Sequence, residues 1–312
     1  MAVKTRDHGG GIDAAIAQYG GTRDGWLDLS TGINPVPYPV GEISADAWNA
    51  LPDLNARYAL SDAARRFWNV PKGASVISAP GASSLIARIP ALAQTGAVNI
   101  PTPTYNEHAA AFAACGWDVS PQGTDATVVV HPNNPDGRLA EEAALTARLN
   151  IIDESFCDVT PEATLIHRAE RPDTLILKSF GKFWGLAGLR LGFLIGPTPL
   201  VDRMRDMIGP WAVSGPALEI GTRALMDDEW AAQTRARLAA DTARMDKIMT
   251  GKGAKLVGGT TLFRLYDVGD AAAWQDRMAQ HHVWTRIFPY SDRWLRLGLP
   301  APDRWDQFEA SL

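Results

Sequence analysis

The chain has 312 residues, of which 46% are hydrophobic and 21% charged, and its formal net charge is −5. These proportions are typical of a soluble globular protein, and the slight acidity argues against a nucleic-acid partner. No apolar run reaches membrane-spanning length, and the first residues are too polar for a secretory signal. The two cysteines, Cys115 and Cys157, lack the spacing of a metal site. We therefore expect a cytoplasmic protein with no metal and no membrane contact.

The N-terminal part predicts an arm followed by an extended connector. His8 precedes three glycines, 9–11, whose backbone amides could wrap an anion, although a disordered arm is the structural alternative. A short helix is expected over 12–19, and 27–35 has the pattern of a strand that runs into a turn. Prolines between 35 and 39 predict an extended connection to the main body.

The segment from about residue 45 to residue 196 alternates short apolar runs with helical patterns. The runs expected to be strands are 75–78, 97–100, 126–131, 150–153 and two between 175 and 196. Helices are expected between them, including one that runs to residue 92 and one over 141–149. Repeated units of this length predict an α/β fold with a mostly parallel sheet covered by helices.

After residue 196 the pattern changes to long helices and then to short strands and helices. The long helices are expected over 199–208 and 216–249, and the remaining elements follow from residue 255 to the end. An α+β tail behind an α/β body predicts a second, smaller domain. We expect a large domain over 45–213 and a small domain made of 1–44 plus 214–312.

The stretch 175–196 carries the clearest chemical signal. Ser179, Lys182 and Arg190 surround a small-residue turn between its two apolar strands. A hydroxyl, an amine and a guanidinium at a strand's carboxyl end suit an anionic ligand with a reactive carbonyl, and open α/β sheets bind ligands at that edge. Solvated basic strand ends are the plainer interpretation. Lys178 lies inside the strand, so we assign the reactive amine to Lys182.

The spacing of these residues resembles that of the fold-type I pyridoxal-phosphate enzymes, the aspartate-aminotransferase-like superfamily. The resemblance implies pyridoxal 5′-phosphate as cofactor, bound covalently by Lys182 as the catalytic residue. It also implies that Ser179, Arg190 and the turn with Ala82 and Ser83 hold the cofactor phosphate. A lysine must be neutral to attack the cofactor aldehyde, so its pKa has to fall; a nearby guanidinium and partial burial act in that direction.

Three more residues match the superfamily's cofactor site. The resemblance implies that Tyr105 stacks on the pyridine ring and that Asn134, rather than Asn133, donates to the phenolic oxygen. Asp153, at the end of an apolar strand, would pair with the pyridine nitrogen and act in catalysis by keeping that nitrogen protonated. Each residue also has a purely structural interpretation. Tyr105 could pack on the core after a turn, Asn134 could belong to an ordinary turn, and Asp153 could cap a helix.

The resemblance also implies a substrate site and a specialised member of the superfamily. Arg296 would bind the substrate α-carboxylate through two parallel hydrogen bonds, with a surface salt bridge as the alternative. Phe156 occupies the position where aminotransferases of the superfamily commonly have a tyrosine that contacts the phenolic oxygen. Plain amino transfer is therefore in doubt.

Several segments resemble the threonine-phosphate decarboxylases of cobalamin biosynthesis. The segments are 8–10, 30–35 and 182–184, together with Phe156. The resemblance implies decarboxylation of L-threonine O-3-phosphate to (R)-1-amino-2-propanol O-2-phosphate, with His8, Gly32 and Asn34 in contact with substrate. A histidinol-phosphate-type aminotransferase is the alternative, and a catalytically silent cofactor-binding protein is a third possibility.

The superfamily resemblance further implies a homodimer with active sites at the subunit interface. Enzymes of this kind receive a tyrosine from the neighbouring subunit at a position close to Leu51 of this chain, and Tyr58 is an uncertain substitute. The expected partners are thus a small phosphorylated amino-acid substrate and a second copy of the chain.

Overall fold

The computed structural model describes residues 7–312, which form two compact units. The larger unit, Pro37–Gln233, contains a seven-stranded sheet flanked by helices. The smaller unit combines residues 7–36 with Thr234–Leu312 and contains antiparallel strands and helices. The predicted α/β fold with a smaller α+β part is confirmed. The predicted domain bounds stay a prediction.

The strands are short, and the helices are mostly of two to four turns. In chain order the strands are β1 (Leu27–Asp28), β2 (Ala74–Ala79), β3 (Ala97–Asn99), β4 (Asp118–Val119), β5 (Ala126–Val130), β6 (Leu149–Asp153), β7 (Thr174–Ser179), β8 (Gly192–Pro197), β9 (Lys255–Thr260), β10 (Phe263–Asp267), β11 (Val283–Trp284), β12 (Arg286–Phe288) and β13 (Ser291–Gly298). The α-helices are α1 (Ile12–Tyr19), α2 (Ala45–Asn49), α3 (Leu54–Phe67), α4 (Ala82–Ile86), α5 (Asn106–Ala114), α6 (Thr198–Ile208), α7 (Gly215–Leu225), α8 (Asp228–Gly251), α9 (Ala271–Gln280) and α10 (Trp305–Ala310).

The large sheet has the strand order β2-β8-β7-β6-β5-β3-β4. Strand β8 runs antiparallel to both of its neighbours, and the other adjacent pairs are parallel. Every residue of β6 is buried, as expected for a central strand covered on both faces. The register pairs Asp153 with Val130 and with Leu177, so the ends of β5, β6 and β7 lie side by side.

Packing of helices against this sheet forms the larger core. Apolar residues of the sheet, such as Val128 and Leu177, share one buried cluster with Leu85 of α4 and Phe112 of α5. The absence of a side chain at Gly221 lets α7 pack closely against its neighbours, because a Cβ there would lie 2.6 Å from Leu191 and 2.9 Å from Leu60. Burial of such side chains contributes about 1.5–3 kcal/mol each.

Three helix predictions were wrong. The helix expected to run to residue 92 ends at Ile86, and a 3₁₀ turn, Ile89–Leu92, follows it. The segment 141–149 contains only a 3₁₀ turn, Glu142–Ala144, instead of a helix. The Asn150 side chain binds both the N–H and the C=O of Ala147, at 3.3 and 2.9 Å, which gives these backbone groups partners outside a helix. The predicted helix over 216–249 is divided into α7 and α8, because Asp227 accepts a hydrogen bond from the Trp230 N–H and caps the start of α8.

The smaller unit contains a four-stranded antiparallel sheet with the order β12-β13-β10-β9 and a parallel pair, β1 and β11. An aromatic cluster that includes Trp26 and Trp284 packs near α1 and α9. Across residues 7–312, no helix combines the length and the apolar character needed to cross a membrane.

Candidate active site

A cavity of the larger unit opens at the carboxyl ends of β5, β6 and β7. Its lining residues are Ala82, Ser83, Ile86, Tyr105, Val130, Asn134, Asp153, Ser155, Phe156, Ser179, Gly181, Lys182, Ala187 and Arg190. The eight residues predicted to contact the cofactor are all in this set. The fold therefore brings together groups that are separated by up to 108 residues along the chain, from Ala82 to Arg190.

One part of the cavity is suited to a phosphate group. Gly81 has φ of 83°, and a Cβ there would lie 2.5 Å from Nη2 of Arg190. The absence of a side chain thus lets the guanidinium approach the turn that begins α4. Arg190 donates to the Ala187 carbonyl at 3.1 Å, and the hydroxyls of Ser83 and Ser179 line the same cavity. A guanidinium with two hydroxyls is a typical set of phosphate-binding groups.

Asp153 supplies a buried negative charge to the cavity. Its carboxylate is 2% exposed, and its Oδ1 accepts hydrogen bonds from the backbone N–H and the hydroxyl of Ser155. Burial would raise the pKa of this carboxyl, but the hydrogen bond and charge of His108, with the bonds from Ser155, hold the pKa below its usual value. An ionised carboxylate in this place is suited to a protonated ring nitrogen.

Sequence analysis missed two residues that contact Asp153, which are Ser155 and His108. The buried partner is His108. It lies on α5 with 1% exposure, and its Nε2 is 2.8 Å from Oδ2 of Asp153. Its ring also makes an edge contact with Tyr105, at 6.1 Å between centroids. Its position one helical turn after Tyr105 was the available signal, because i and i+3 residues lie on one helix face.

The two lysines near the end of β7 have different environments. Lys178 is 2% exposed and forms ion pairs with Glu154 at 2.6 Å and Asp158 at 3.7 Å. Burial would lower the pKa of Lys178, but the charges of these two carboxylates raise it well above its usual value. Such an amine stays protonated and is no nucleophile. Lys182, by contrast, lines the cavity, with its Nζ 5.2 Å from the ring centroid of Phe156.

Asn133 and Asn134 also differ in their surroundings. Asn133 is 2% exposed and binds the loop before α5, donating to the Pro103 carbonyl at 3.0 Å. Asn134 lines the cavity instead. Of the two amides, the one at the cavity is thus that of Asn134.

Next to the cavity, three buried groups approach one another closely enough to hold a cation. They are His131, Glu154 and Cys157, whose ligand atoms lie within 4.8 Å of each other. His131 already contacts the Ala163 carbonyl and the Ala140 N–H through its two ring nitrogens, and Glu154 pairs with Lys178. Burial, followed by the charge of Glu154, raises the pKa of the Cys157 thiol well above its usual value. These contacts describe a hydrogen-bonded cluster, and the prediction of no metal stays a prediction.

The predicted substrate residues lie in the smaller unit. Arg296 on β13 is 5% exposed and donates to the Ser30 carbonyl at 2.6 Å, so it is not a surface salt bridge. It pairs in register with Arg286 of β12, which places both side chains on one face of the sheet. Burial and the charge of Arg286 lower the pKa of Arg296 to about 10. Two adjacent guanidinium groups attract an anion, and the carboxylate of Asp7 already pairs with one of them, Arg286.

The other predicted substrate residues are His8, Gly32 and Asn34, which also lie in the smaller unit. Arg286 donates to the His8 carbonyl at 2.8 Å and to the carboxylate of Asp7. Asn34 is buried, and its Oδ1 accepts hydrogen bonds from Arg237 at 2.6 Å and from the Val36 N–H at 3.0 Å. Gly32 is buried between Ser30 and Asn34. Their roles toward substrate stay predictions.

Comparison with known proteins identifies the family. Residues 40–306 match the family described as aminotransferase class I and II. The chain belongs to this family, and the predicted superfamily and its pyridoxal-phosphate dependence are confirmed.

Individual relatives make the comparison more specific. A threonine-phosphate decarboxylase from a Sinorhizobium species is 40% identical, and the match covers 95% of this chain and 93% of that protein. The threonine-phosphate decarboxylase of Pseudomonas aeruginosa is 36% identical over 98% of this chain and 97% of its own. Among solved structures, the histidinol-phosphate aminotransferase of Sinorhizobium meliloti in complex with pyridoxal-5′-phosphate has a TM-score of 0.83 and 19% identity, and the match covers 99% of this chain and 94% of that one.

Proposed function

We propose that this protein decarboxylates L-threonine O-3-phosphate to (R)-1-amino-2-propanol O-2-phosphate, a reaction of cobalamin biosynthesis, with pyridoxal 5′-phosphate as cofactor. The observation that carries the proposal is the cavity in which Lys182, Asp153, Arg190 and Phe156 meet. The two relatives described above, which are named threonine-phosphate decarboxylases and match nearly the whole chain, support the choice of substrate.

The lining residues fit the cofactor at both of its charged groups. Arg190, Ser83 and Ser179 would hold the phosphate, and the ionised carboxylate of Asp153 would accept a hydrogen bond from the protonated pyridine nitrogen. When bound, pyridoxal phosphate supplies the electron sink for cleavage of a bond at the substrate Cα. Asp153 keeps that sink effective, because its lowered pKa leaves it negatively charged near neutral pH.

Lys182 is the amine that suits covalent attachment. It lines the cavity and is half-buried, with its Nζ 5.2 Å from the centroid of the apolar Phe156 ring. Lys178, in contrast, is held protonated by two carboxylates. We infer that the amine of Lys182 also returns a proton to the substrate Cα.

The two arginines of the smaller unit support a substrate with more than one negative charge. L-threonine O-3-phosphate carries a carboxylate and a phosphate. Arg286 and Arg296 share one face of the antiparallel sheet, and burial first, then the charge of Arg286, lower the pKa of Arg296; a bound anion would oppose both effects. We infer that Arg296 binds the α-carboxylate, and that Arg286, with His8, Gly32 and Asn34, serves the phosphate.

Amino transfer to or from a phosphorylated amine such as histidinol phosphate is the second candidate. The solved aminotransferase described above favours it by fold. The phenyl ring of Phe156, however, offers no hydroxyl to the phenolic oxygen of the cofactor. Decarboxylation and amino transfer both begin with the same bound cofactor, so product analysis is needed to separate them.

The experiment is to incubate the purified holoenzyme with L-threonine O-3-phosphate, and in parallel with histidinol phosphate and 2-oxoglutarate. The proposal predicts CO₂ and 1-amino-2-propanol phosphate in the first reaction and no glutamate in the second. Glutamate without CO₂ would instead establish the aminotransferase. A Phe156→Tyr variant is expected to gain amino transfer as a side reaction while it still releases CO₂.

We further propose that the protein is a cytoplasmic homodimer. Apolar side chains that a monomer would leave in water support this, and the larger unit exposes Trp48, Leu51, Leu54, Tyr58 and Trp211 by at least 55% each. Light scattering on a gel-filtration column tests the assembly. A mass of one chain, 33.7 kDa, would contradict the dimer.

A further inference from the structure

Four polar side chains form one hydrogen-bonded network at the two loops that carry Tyr105 and Asn134. We call Thr104, Asn133, Asp136 and Arg138 the loop clamp. We propose that the loop clamp is a positioning device, which holds Tyr105 and Asn134 in the orientation that the cofactor ring requires. This inference rests on the proposed function, because it concerns the same cofactor site.

Asn133 is the centre of the loop clamp. Its Oδ1 accepts a hydrogen bond from the Thr104 hydroxyl at 2.6 Å. Its Nδ2 donates to the Pro103 carbonyl at 3.0 Å and to Oδ1 of Asp136 at 2.7 Å. Both hydrogens of the amide are therefore used, and the side chain is 2% exposed. A buried amide satisfied in this way holds one rotamer.

Asp136 and Arg138 extend the loop clamp toward the surface. Arg138 donates to the carbonyls of Pro101 and Pro103, at 3.0 and 3.1 Å, and its side chain also pairs with Asp136. The backbone of the turn is closed as well, because the Asn133 N–H donates to the Arg138 carbonyl at 2.9 Å. Since Arg138 is exposed, these outer contacts are weaker than those of Asn133.

The loop clamp acts through its neighbours in the chain. Tyr105 follows Thr104, and Asn134 follows Asn133, yet only Tyr105 and Asn134 of these four line the cavity. A shift of one loop against the other would move the Tyr105 ring relative to the Asn134 amide. Displacement of a positioning group by about 1 Å can cost roughly 100-fold in rate. The loop clamp opposes that displacement with the two side-chain hydrogen bonds that join Asn133 to Thr104 and to Pro103, while the bond from Asn133 to Asp136 fixes the amide within its own loop.

The test uses isosteric variants of the holoenzyme. In Asn133→Asp the shape is kept, but the carboxylate cannot donate to Pro103 and it repels Asp136. In Thr104→Val one hydroxyl bond is removed. Asn150→Asp is the matched control, since Asn150 is also buried and its donor bond to Ala147, 2.9 Å, lies at the opposite end of β6 from Asp153.

Three quantities are measured for each variant. They are the circular dichroism of bound pyridoxal phosphate in its visible band, its dissociation rate, and the urea midpoint of the apoprotein. The dichroism reports the orientation of the ring, which a loss of overall stability does not change.

We expect Asn133→Asp to lose at least about half of the dichroism and to release cofactor about tenfold faster, and Thr104→Val to release it about twofold to threefold faster. Asn150→Asp should lower the urea midpoint while its dichroism and release rate stay within about twofold of the wild-type values.

The inference is overturned if Asn133→Asp matches Asn150→Asp in dichroism and release rate. If Asn133→Asp does not fold, Thr104→Val decides, and wild-type values in that variant overturn the inference. If the wild-type protein binds pyridoxal phosphate and the variants show no effect, only the inference about the loop clamp is refuted. If the wild-type protein takes up no pyridoxal phosphate, the proposed function and the inference are both refuted.

Discussion

Replacement of His108 by phenylalanine tests the electrostatic design of the cofactor cavity. The Nε2 of His108 and the Oδ2 of Asp153 are 2.8 Å apart, and both side chains are at most 3% exposed. Phenylalanine fills a similar volume on α5 but donates no hydrogen bond. Asp153 would then retain only its two bonds from Ser155, and burial would raise the pKa of its carboxyl.

The expected effect follows from the value of this hydrogen bond. A hydrogen bond to a charged group contributes about 1.5–3 kcal/mol, which corresponds to roughly 10- to 100-fold in cofactor affinity if Asp153 must be ionised to bind the ring nitrogen. The sign of the pH effect is also defined. In the wild type the lowered pKa of Asp153 keeps its contribution until the pH falls through that lowered value. In His108→Phe the pKa is raised, so the affinity deficit should grow as the pH falls from 8 to 5.

The assay is an equilibrium titration of apoprotein with pyridoxal phosphate, followed by quenching of tryptophan fluorescence at several pH values. The ratio of wild-type to variant affinity at each pH cancels the titration of the cofactor itself. His167→Phe is the matched control, because His167 also contacts a carboxylate, Glu142 at 3.1 Å, but is 59% exposed. Equal affinities of His108→Phe and His167→Phe at every pH would refute the reasoning.

Three further predictions follow from single contacts. Gly81→Ala should weaken cofactor binding by at least about tenfold, since a Cβ there meets Arg190 at 2.5 Å, whereas Gly188→Ala, with open space around it, should bind normally in the same titration. Arg296→Lys should raise KM for threonine phosphate by about tenfold with a smaller change in kcat, as measured by CO₂ release, because lysine cannot form two parallel bonds to a carboxylate; an unchanged KM would contradict the assignment. Glu154→Gln should destabilise the apoprotein by about 3–5 kcal/mol in urea unfolding, because it removes one partner of a buried ion pair; a loss below about 1 kcal/mol would contradict the account.

The cofactor cavity was accessible to sequence analysis because its residues follow strand ends at recognisable spacings. Ser179, Lys182 and Arg190 lie within 12 residues: Ser179 and Lys182 follow one apolar run, and Arg190 begins the next. The α/β fold was predictable for the same reason, since buried parallel strands leave short continuous apolar runs.

The remaining features depend on contacts that sequence spacing does not encode. His108 meets Asp153 across 45 residues; its position one turn after Tyr105 could place it near the cavity, but it does not identify Asp153 as its partner. Arg286 lies beside Arg296 because of the β12–β13 register, which includes an irregularity between Ile287 and Phe288. No helix forms over 141–149, because the Asn150 side chain binds the backbone of Ala147. Helical periodicity in the sequence does not reveal such a bond.

The central claim is that Lys182, and no other amine of this chain, bonds covalently to pyridoxal phosphate. The direct measurement is reduction of the holoenzyme with borohydride, followed by peptide mapping of the modified lysine by mass spectrometry. The account predicts a single phosphopyridoxyl adduct on Lys182 and an unmodified Lys178, which is held by Glu154. An adduct on Lys178, or full occupancy of the cofactor site with no adduct on Lys182, would contradict it.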